Sequence, residues 1–455
     1  MKKQRFSFIL FFILVTISAV YLWLQCRGDN SELKVITLTG INYCYNYSRS
    51  WTGFGSLADT GEITALPVSE GDILYLFSSD GLDYPSVMRY HESDGLHLMF
   101  ESDTGSPNEI FWNKELLTLH IDDEFEWMND RFDEEIKYPR SIYFVDDSIQ
   151  DHLFPVLSKI AEINPDAGIL IDYDNKDLFY KIISLFKPEW MSVPATLMDT
   201  IDERFLPSFD HLELLFLIDA EFINCDFLGR LPNLESLILM EWTPSDTNYI
   251  QLAKIRNLKS LTVINTEITS LSARVLPKSL HNLYLIGSLS LTDIDQLRTL
   301  QGLRELSLLR CDTLSDISVL YEIPPLRWLS LPPKVSQESF DEILNHHKSL
   351  QGLELIGCRE IEDLSSLIQL DQIKALAIDL PEINYASLRQ LSNIELIVID
   401  QDQFDESEDE IDSLKKALPE TYIVPGSGLC LGSGWILLVI PFLLIMALVI
   451  RAFIK

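Results

Sequence analysis

The sequence predicts an α/β solenoid in which short repeats stack, strands line one side and helices or turns line the other. Three observations predict it. Apolar residues recur as apolar-x-x-apolar-x-apolar, and successive copies begin 21 to 24 residues apart. A fixed period of this size marks a repeat architecture whose units bury their apolar faces only by stacking. The return stretch of many units has helical rather than strand periodicity. The third observation is an uncharged apolar run at each end, which adds an expected transmembrane helix on either side of the solenoid.

The clearest copies run from Leu212/Leu215/Leu217 through Leu234/Leu237/Leu239, Leu258/Leu261/Val263, Leu280/Leu283/Leu285 and Leu303/Leu306/Leu308. They continue with Leu326/Leu329/Leu331, Leu350/Leu353/Leu355, Ile373/Leu376/Ile378 and Ile394/Ile397/Ile399, and a weaker Leu418/Thr421/Ile423 closes the series. Alternate residues of a strand face opposite sides, so in Leu306-Ser-Leu308 the leucines point into the core and Ser307 and Leu309 point out. Thr247 to Ile255, Ser339 to His347 and Asp409 to Ala417 read as helix-like returns. These units occupy 212–424.

Taken from the N-terminus, residues 1–28 form a membrane anchor or signal segment. Residues 6–25 carry no charge and follow Lys2, Lys3 and Arg5. The length suits a bilayer span, and no Ala-x-Ala-like cleavage site is obvious. A cleaved signal remains the alternative, and Cys26 lacks the small residues that lipidation wants before it. Residues 29–112 are β-rich, with runs such as Leu33 to Thr39, Asp72 to Phe77 and Leu96 to Phe100 between Ser-Asp-Gly turn signals. The aromatics Tyr43, Tyr45, Tyr47, Trp51 and Phe54 serve either as the core of a small domain or as a binding patch.

Residues 113–211 carry the repeat in degraded form, at Leu116/Leu119/Ile121 and Pro139/Ile142/Phe144. Gly168 to Asp172 is a strand of unassigned phase. Helical patterns cover Asp151 to Ile163 and Lys176 to Phe186. Residues 425–455 hold the second apolar run, Leu429 to Ile450, then a basic tail with Arg451 and Lys455. Basic residues lie outside both runs, so the positive-inside rule puts both tails in the cytoplasm and the main domain outside it, in a periplasm or at a cell surface.

The balance is acidic, with 69 Asp+Glu against 35 Lys+Arg, a net charge of −34. Such a surface repels phosphate backbones, which excludes nucleic acid as a partner. Cys311 and Cys358 hold the same place in repeats two apart. Strands spaced about 4.8 Å put them roughly 10 Å apart, beyond the ~7 Å a disulfide tolerates. Both are expected to be unpaired and buried.

The units Leu306 to Leu320 and Leu353 to Leu367, with the sub-motif Leu291-Thr-Asp-Ile-Asp-Gln-Leu297, resemble leucine-rich repeats of the bacterial, internalin-like kind. The resemblance covers 212–423 strongly and 113–211 weakly, and does not reach 31–112. It implies non-catalytic binding of a protein partner on the concave face, with no cofactor. One departure is plain. The asparagine position of the family holds Ala220, Trp242, Thr266, Ser288, Cys311, Lys334, Cys358 and Pro381, so irregular turns are expected.

The outward row between the core leucines reads Phe216, Ile238, Thr262, Tyr284, Ser307, Ser330, Glu354, Ala377, Val398. The row after it reads Ile218, Met240, Ile264, Ile286, Leu309, Pro332, Ile356, Asp379, Asp400. An exposed apolar strip of this kind would mark an interaction site. The alternative is burial under the rim of the turns or under 31–112. The candidate contact residues are Phe216, Ile238, Met240, Ile264, Tyr284, Ile286 and Trp328, aromatic and aliphatic anchors of the sort that dominate binding.

Other motifs are weaker. Asp59-Thr-Gly61 and Asp103-Thr-Gly105 resemble the catalytic loops of aspartic proteases but lack a preceding apolar strand, and suit turns. Leu418-Pro-Glu-Thr421 resembles a sorting signal without its Gly and falls in repeat phase. His346-His347 reads as solvated surface rather than a metal site. The acidic run Asp400 to Asp412 lacks a calcium-loop pattern. Asn46-Tyr-Ser48 is a lone glycosylation sequon. No small-molecule substrate is expected. Three functions stand: recognition of a protein or cell-surface ligand by a membrane-tethered solenoid; a scaffold of an envelope complex; and a hydrolase with its chemistry in 31–112.

Overall fold

A computed structural model describes residues 154–426 apart from 164, 172, 199–200, 219, 221–224, 242–251 and 272–275, and before them nine strands between 34 and 144. Both terminal apolar runs lie outside the described residues. Among the described residues, no helix is long and apolar enough to cross a membrane.

The N-terminal strands are β1 (Lys34–Thr39), β2 (Tyr43–Asn46), β3 (Trp51–Thr52), β4 (Ile63–Val68), β5 (Ile73–Phe77), β6 (Ser86–His91) and β7 (Gly95–Phe100). β1 pairs antiparallel with β4, and the other five form an antiparallel sheet in the order β3-β2-β5-β6-β7.

The solenoid strands are β8 (Thr118–Ile121), β9 (Ser141–Phe144), β10 (Gly168–Ile171), β11 (Trp190–Pro194), β12 (Leu214–Ile218), β13 (Ser236–Met240) and β14 (Ser260–Ile264). They continue with β15 (Asn282–Ile286), β16 (Glu305–Ser307), β17 (Trp328–Ser330), β18 (Gly352–Ile356), β19 (Ala375–Asp379), β20 (Leu396–Asp400) and β21 (Tyr422–Gly426). All belong to one 14-stranded sheet in strict sequence order, and neighbouring strands pair parallel. The degraded units therefore lie in the same sheet as the regular ones. In β10, Ile169 and Ile171 face the core, opposite Ile142 and Phe144.

Register explains why the period is so regular. Leu237, Leu261, Leu283, Leu306, Leu329, Leu353 and Leu376 lie opposite one another on successive strands, all pointing inward and all buried. A slip of one residue would turn every leucine outward, so the core fixes the pairing.

The returns vary. Helix α1 (Phe154–Ile163) and α2 (Lys176–Ile183) are followed by the short α3 (Ala195–Met198), then by α4 (Gln337–His346), α5 (Tyr385–Leu388), α6 (Gln401–Glu406) and α7 (Glu408–Ala417). Others are single 3₁₀ turns, at Asp295–Thr299, Ser318–Tyr321 and Ser365–Gln369. The recurring Asp starts these turns: Asp293, Asp316 and Asp363 each accept the backbone N–H two residues on, at 2.9, 3.0 and 2.9 Å. A short carboxylate competing for the backbone in this way is a turn initiator. The predicted return Thr247 to Ile255 lies mostly outside the described residues.

After each outward row the chain must leave the sheet sharply. Glu241, Asn265, Gly287, Arg310 and Gly357 all do so with positive φ, from 52 to 72°. Gly287 is needed on a second count, because a Cβ there would stand 2.6 Å from Asn265 Oδ1.

The missing asparagine ladder is replaced in two ways. Cys311 Sγ donates to the Leu285 carbonyl at 3.2 Å and Cys358 Sγ to the Pro332 carbonyl at 3.6 Å, each reaching back to the preceding repeat. Both thiols are free and buried. A second ladder stands just before the first leucine of the unit. Asn233, Asn257 and Asn393 donate side-chain N–H groups to Asp210, Pro232 and Asp371 carbonyls at 2.5, 2.7 and 3.1 Å. Ser279 and Ser349 hydroxyls do the same to Leu258 and Leu326 at 2.7 and 3.0 Å.

His347 corrects one expectation. It is fully buried, not solvated. Its Nδ1 accepts the Leu326 N–H at 3.0 Å and its Nε2 contacts the Leu320 carbonyl at 2.9 Å, which fixes the neutral Nε2–H tautomer. Burial, and then the neighbouring His346, push its pKa down to about 4.

The two parts of the chain meet. Cα atoms of β7 come within 8 Å of β8 and β9, and those of β4 come within 8 Å of β20 and β21.

Candidate partner-binding face

The outward side of the 14-stranded sheet positions the candidate residues. Strand alternation presents Phe216 opposite Ile238, Ile238 opposite Thr262, and Thr262 opposite Tyr284. One column further, Met240 lies opposite Ile264, and Ile264 opposite Ile286.

Phe216, Ile238, Ile264, Tyr284 and Ile286 join one apolar cluster on this side, with Met240 packed against it. Trp190, Leu214 and Leu309 complete the cluster. Trp328 lies outside it, further along the column that Trp190 and Leu214 begin.

Trp190 and Leu214 escaped the sequence reading. Their signal was present: Pro188-x-x-Met191-x-Val193 fits the template and starts 24 residues before Leu212. Met191 and Val193 point inward, which turns Trp190 out beside Leu214.

Two tryptophans lie over glycines of a neighbouring strand. Trp328 faces Gly352 in register, and a Cβ on Gly352 would sit 1.8 Å from the indole. Trp190 lies over Gly168, where a Cβ would meet the indole at 2.0 Å. Only glycine leaves room for a ring in that position.

The middle of the face holds two buried carboxylates, Glu354, which the sequence placed in the outward row, and Glu305, which it did not. Tyr284 donates its hydroxyl to Glu305 Oε2 at 2.5 Å, and the Ser330 hydroxyl donates to Glu354 Oε2. Carboxylates are tolerated in such places when hydrogen-bonded. At the C-terminal end, Asp379 and Asp400 follow each other in the second row. Burial, and then the charge of Asp400, raise the pKa of Asp379.

The candidate residues are buried. Tyr284 is 0% exposed, Trp328 1%, Ile238 3%, Phe216 6% and Ile264 and Ile286 7%, while Met240 is half-buried. Small and charged members of the first row, Ser307, Ser330 and Glu354, are also fully buried. Among the described residues, no three His, Cys, Asp or Glu side chains gather as a metal site would need.

No protein-family model matches the sequence, and no curated protein matches it significantly. Solved structures that the chain is similar to include an internalin, inlF, from Listeria monocytogenes, at 19% identity over 57% of this chain and 72% of that one, with a TM-score of 0.38. Another is the functional domain of InlJ from the same organism, described as including a cysteine ladder, at 13% identity over 62% and 53% and a TM-score of 0.33. A third is a leucine-rich-repeat protein of Leptospira interrogans, at 14% identity over 61% and 93% and a TM-score of 0.24. The period, the in-register inward leucines and the sheet in strict sequence order give this chain the architecture of a leucine-rich-repeat solenoid, and the solved structures it is similar to are bacterial internalins and a leucine-rich-repeat protein.

Proposed function

We propose that this protein is a membrane-tethered leucine-rich-repeat receptor that binds a protein partner outside the cytoplasm without catalysis. One observation carries the reading: an apolar cluster on the outward side of successive repeats, Phe216, Ile238, Ile264, Tyr284 and Ile286 with Met240 packed against it, set on a parallel sheet that also carries Trp328. Large apolar side chains on a rigid frame supply contact area at little entropic cost. The apolar runs at 6–25 and 429–450 tether both ends, with the basic tails inside.

The test is capture from intact cells. The full-length protein is crosslinked at the surface and its partners are counted for the wild type and for a Phe216→Ala, Ile238→Ala, Tyr284→Ala variant. Capture is expected to fall by at least tenfold while near-ultraviolet circular dichroism stays native. Undiminished capture by a folded variant overturns the concave-face reading. Digestion of the repeats by external protease before the membrane is broken is the expected topology. Digestion only afterwards overturns the orientation.

A further inference from the structure

We infer that the β-rich N-terminal unit of this same chain, strands β1 to β7, is seated in the groove of the solenoid and covers its concave face. The first observation is burial. An outward row on one open side of a sheet meets water, yet Tyr284, Ser307, Ser330 and Glu354 are all 0% exposed. Small serines cannot hide themselves or their neighbours, so something lies across the middle of the arc.

The second observation identifies the occupant. β4 approaches β20 and β21 at one end of the sheet, and β7 approaches β8 and β9 at the other, in each case with Cα atoms within 8 Å. A strand added to the sheet edge would lie about 4.8 Å from the outermost strand and about 9.6 Å from the next. Reaching both within 8 Å means that β4 and β7 pack against the two outermost strands at each tip and do not extend the sheet as edge strands. The inward side is filled by leucines, and on the outward side Val398 of β20 is buried.

Chemistry agrees. β4 reads Ile-Thr-Ala-Leu-Pro-Val and β7 reads Gly-Leu-His-Leu-Met-Phe, with no carboxylate, lysine or arginine in either. In a chain of net charge −34 uncharged strands such as these, with β2, β3 and β5 of the same unit, fit an apolar groove. Removing such surfaces from water stabilises by about 25 cal/mol per Å² of apolar area.

The consequence for recognition rests on the reading proposed above: a partner reaches Phe216, Ile238 and Tyr284 only by displacing the N-terminal unit. The seated state is self-occupied, and the exposed state binds.

The test places a photo-crosslinker in the full-length protein at two half-buried rim positions, Ile218→p-benzoylphenylalanine and Ile356→p-benzoylphenylalanine, with Leu289 on an exposed return as control. After irradiation, intrachain crosslinks from 218 and 356 to peptides within 34–100 are expected, and none from 289. Crosslinks to a second copy, to another protein, or to no N-terminal peptide overturn the seating. A protease site inserted in 101–117 gives a second readout: after cutting, the N-terminal piece is expected to stay with the solenoid through gel filtration, and its separate elution counts against the seating. Partner capture is scored in the same samples. Intrachain crosslinks with no partner, before or after cutting, leave the seating intact and sink the recognition reading. Capture without those crosslinks does the reverse.

Discussion

The indole of Trp328 lies across Gly352 on the neighbouring strand, in the space a side chain would otherwise fill. Gly352→Ala would put a methyl 1.8 Å from the ring, so the indole must leave its place on the sheet. Overpacking of this kind costs about 1–3 kcal/mol. The expected outcome is a lower urea midpoint and a red-shifted tryptophan emission. Native stability with unchanged emission would show that the ring has no such dependence.

His347 makes stability depend on pH. Its folded pKa of about 4 lies below the ordinary value of 6.5. Between these values the unfolded chain takes up a proton at this ring and the folded chain does not. The contribution is therefore full above pH 6.5, is lost as pH falls, and levels off below about 4. The whole change is about 3 kcal/mol. Urea midpoints of the wild type are expected to drop more steeply across this window than those of His347→Gln. Equal slopes would remove the assignment.

Asp379 works with the opposite sign. Its folded pKa is raised, so the folded state holds a proton more readily than the unfolded one. Its charged form weakens the fold as pH rises through that value. Asp379→Asn should raise the melting temperature at neutral pH by a few degrees and leave it nearly unchanged at pH 3. A variant that melts lower than wild type at pH 7 would contradict this.

The thiols of Cys311 and Cys358 should be inert in the folded chain. Burial pushes both up to about 12, and each donates to a backbone carbonyl. Mass mapping after treatment with a thiol reagent at pH 8 should find both unmodified until urea is added. Labelling of either in the folded chain would show that the thiol ladder opens.

How much of this was legible in the sequence follows from what is local. The inward leucines repeat with the strand period, so the solenoid and the outward rows could be read directly. Asp293, Asp316 and Asp363 start their turns through a hydrogen bond two residues long, and their sub-motif was visible. The unit at Met191 was legible too, since Pro188 fills its first slot as Pro139 does in a unit that was read, but it was passed over. The ladder of Asn233, Asn257 and Asn393 was missed because the family's asparagine position lies elsewhere in the repeat. His347 read as surface because it sits at the end of a polar helix, while its two partners come from 21 and 27 residues away. Trp328 was placed on the right side of the sheet. What lies across that side joins residues some 300 positions apart, and no periodicity records it.

A solenoid's curvature is the sum of small rotations between neighbouring repeats, so a long arc flexes like a spring. Strands β4 and β7 meet its two ends. With the N-terminal unit seated as inferred, β4 of the two-stranded sheet holds one tip and β7 of the five-stranded sheet holds the other, so the span of the arc depends on how those two sheets are joined as well as on the repeats.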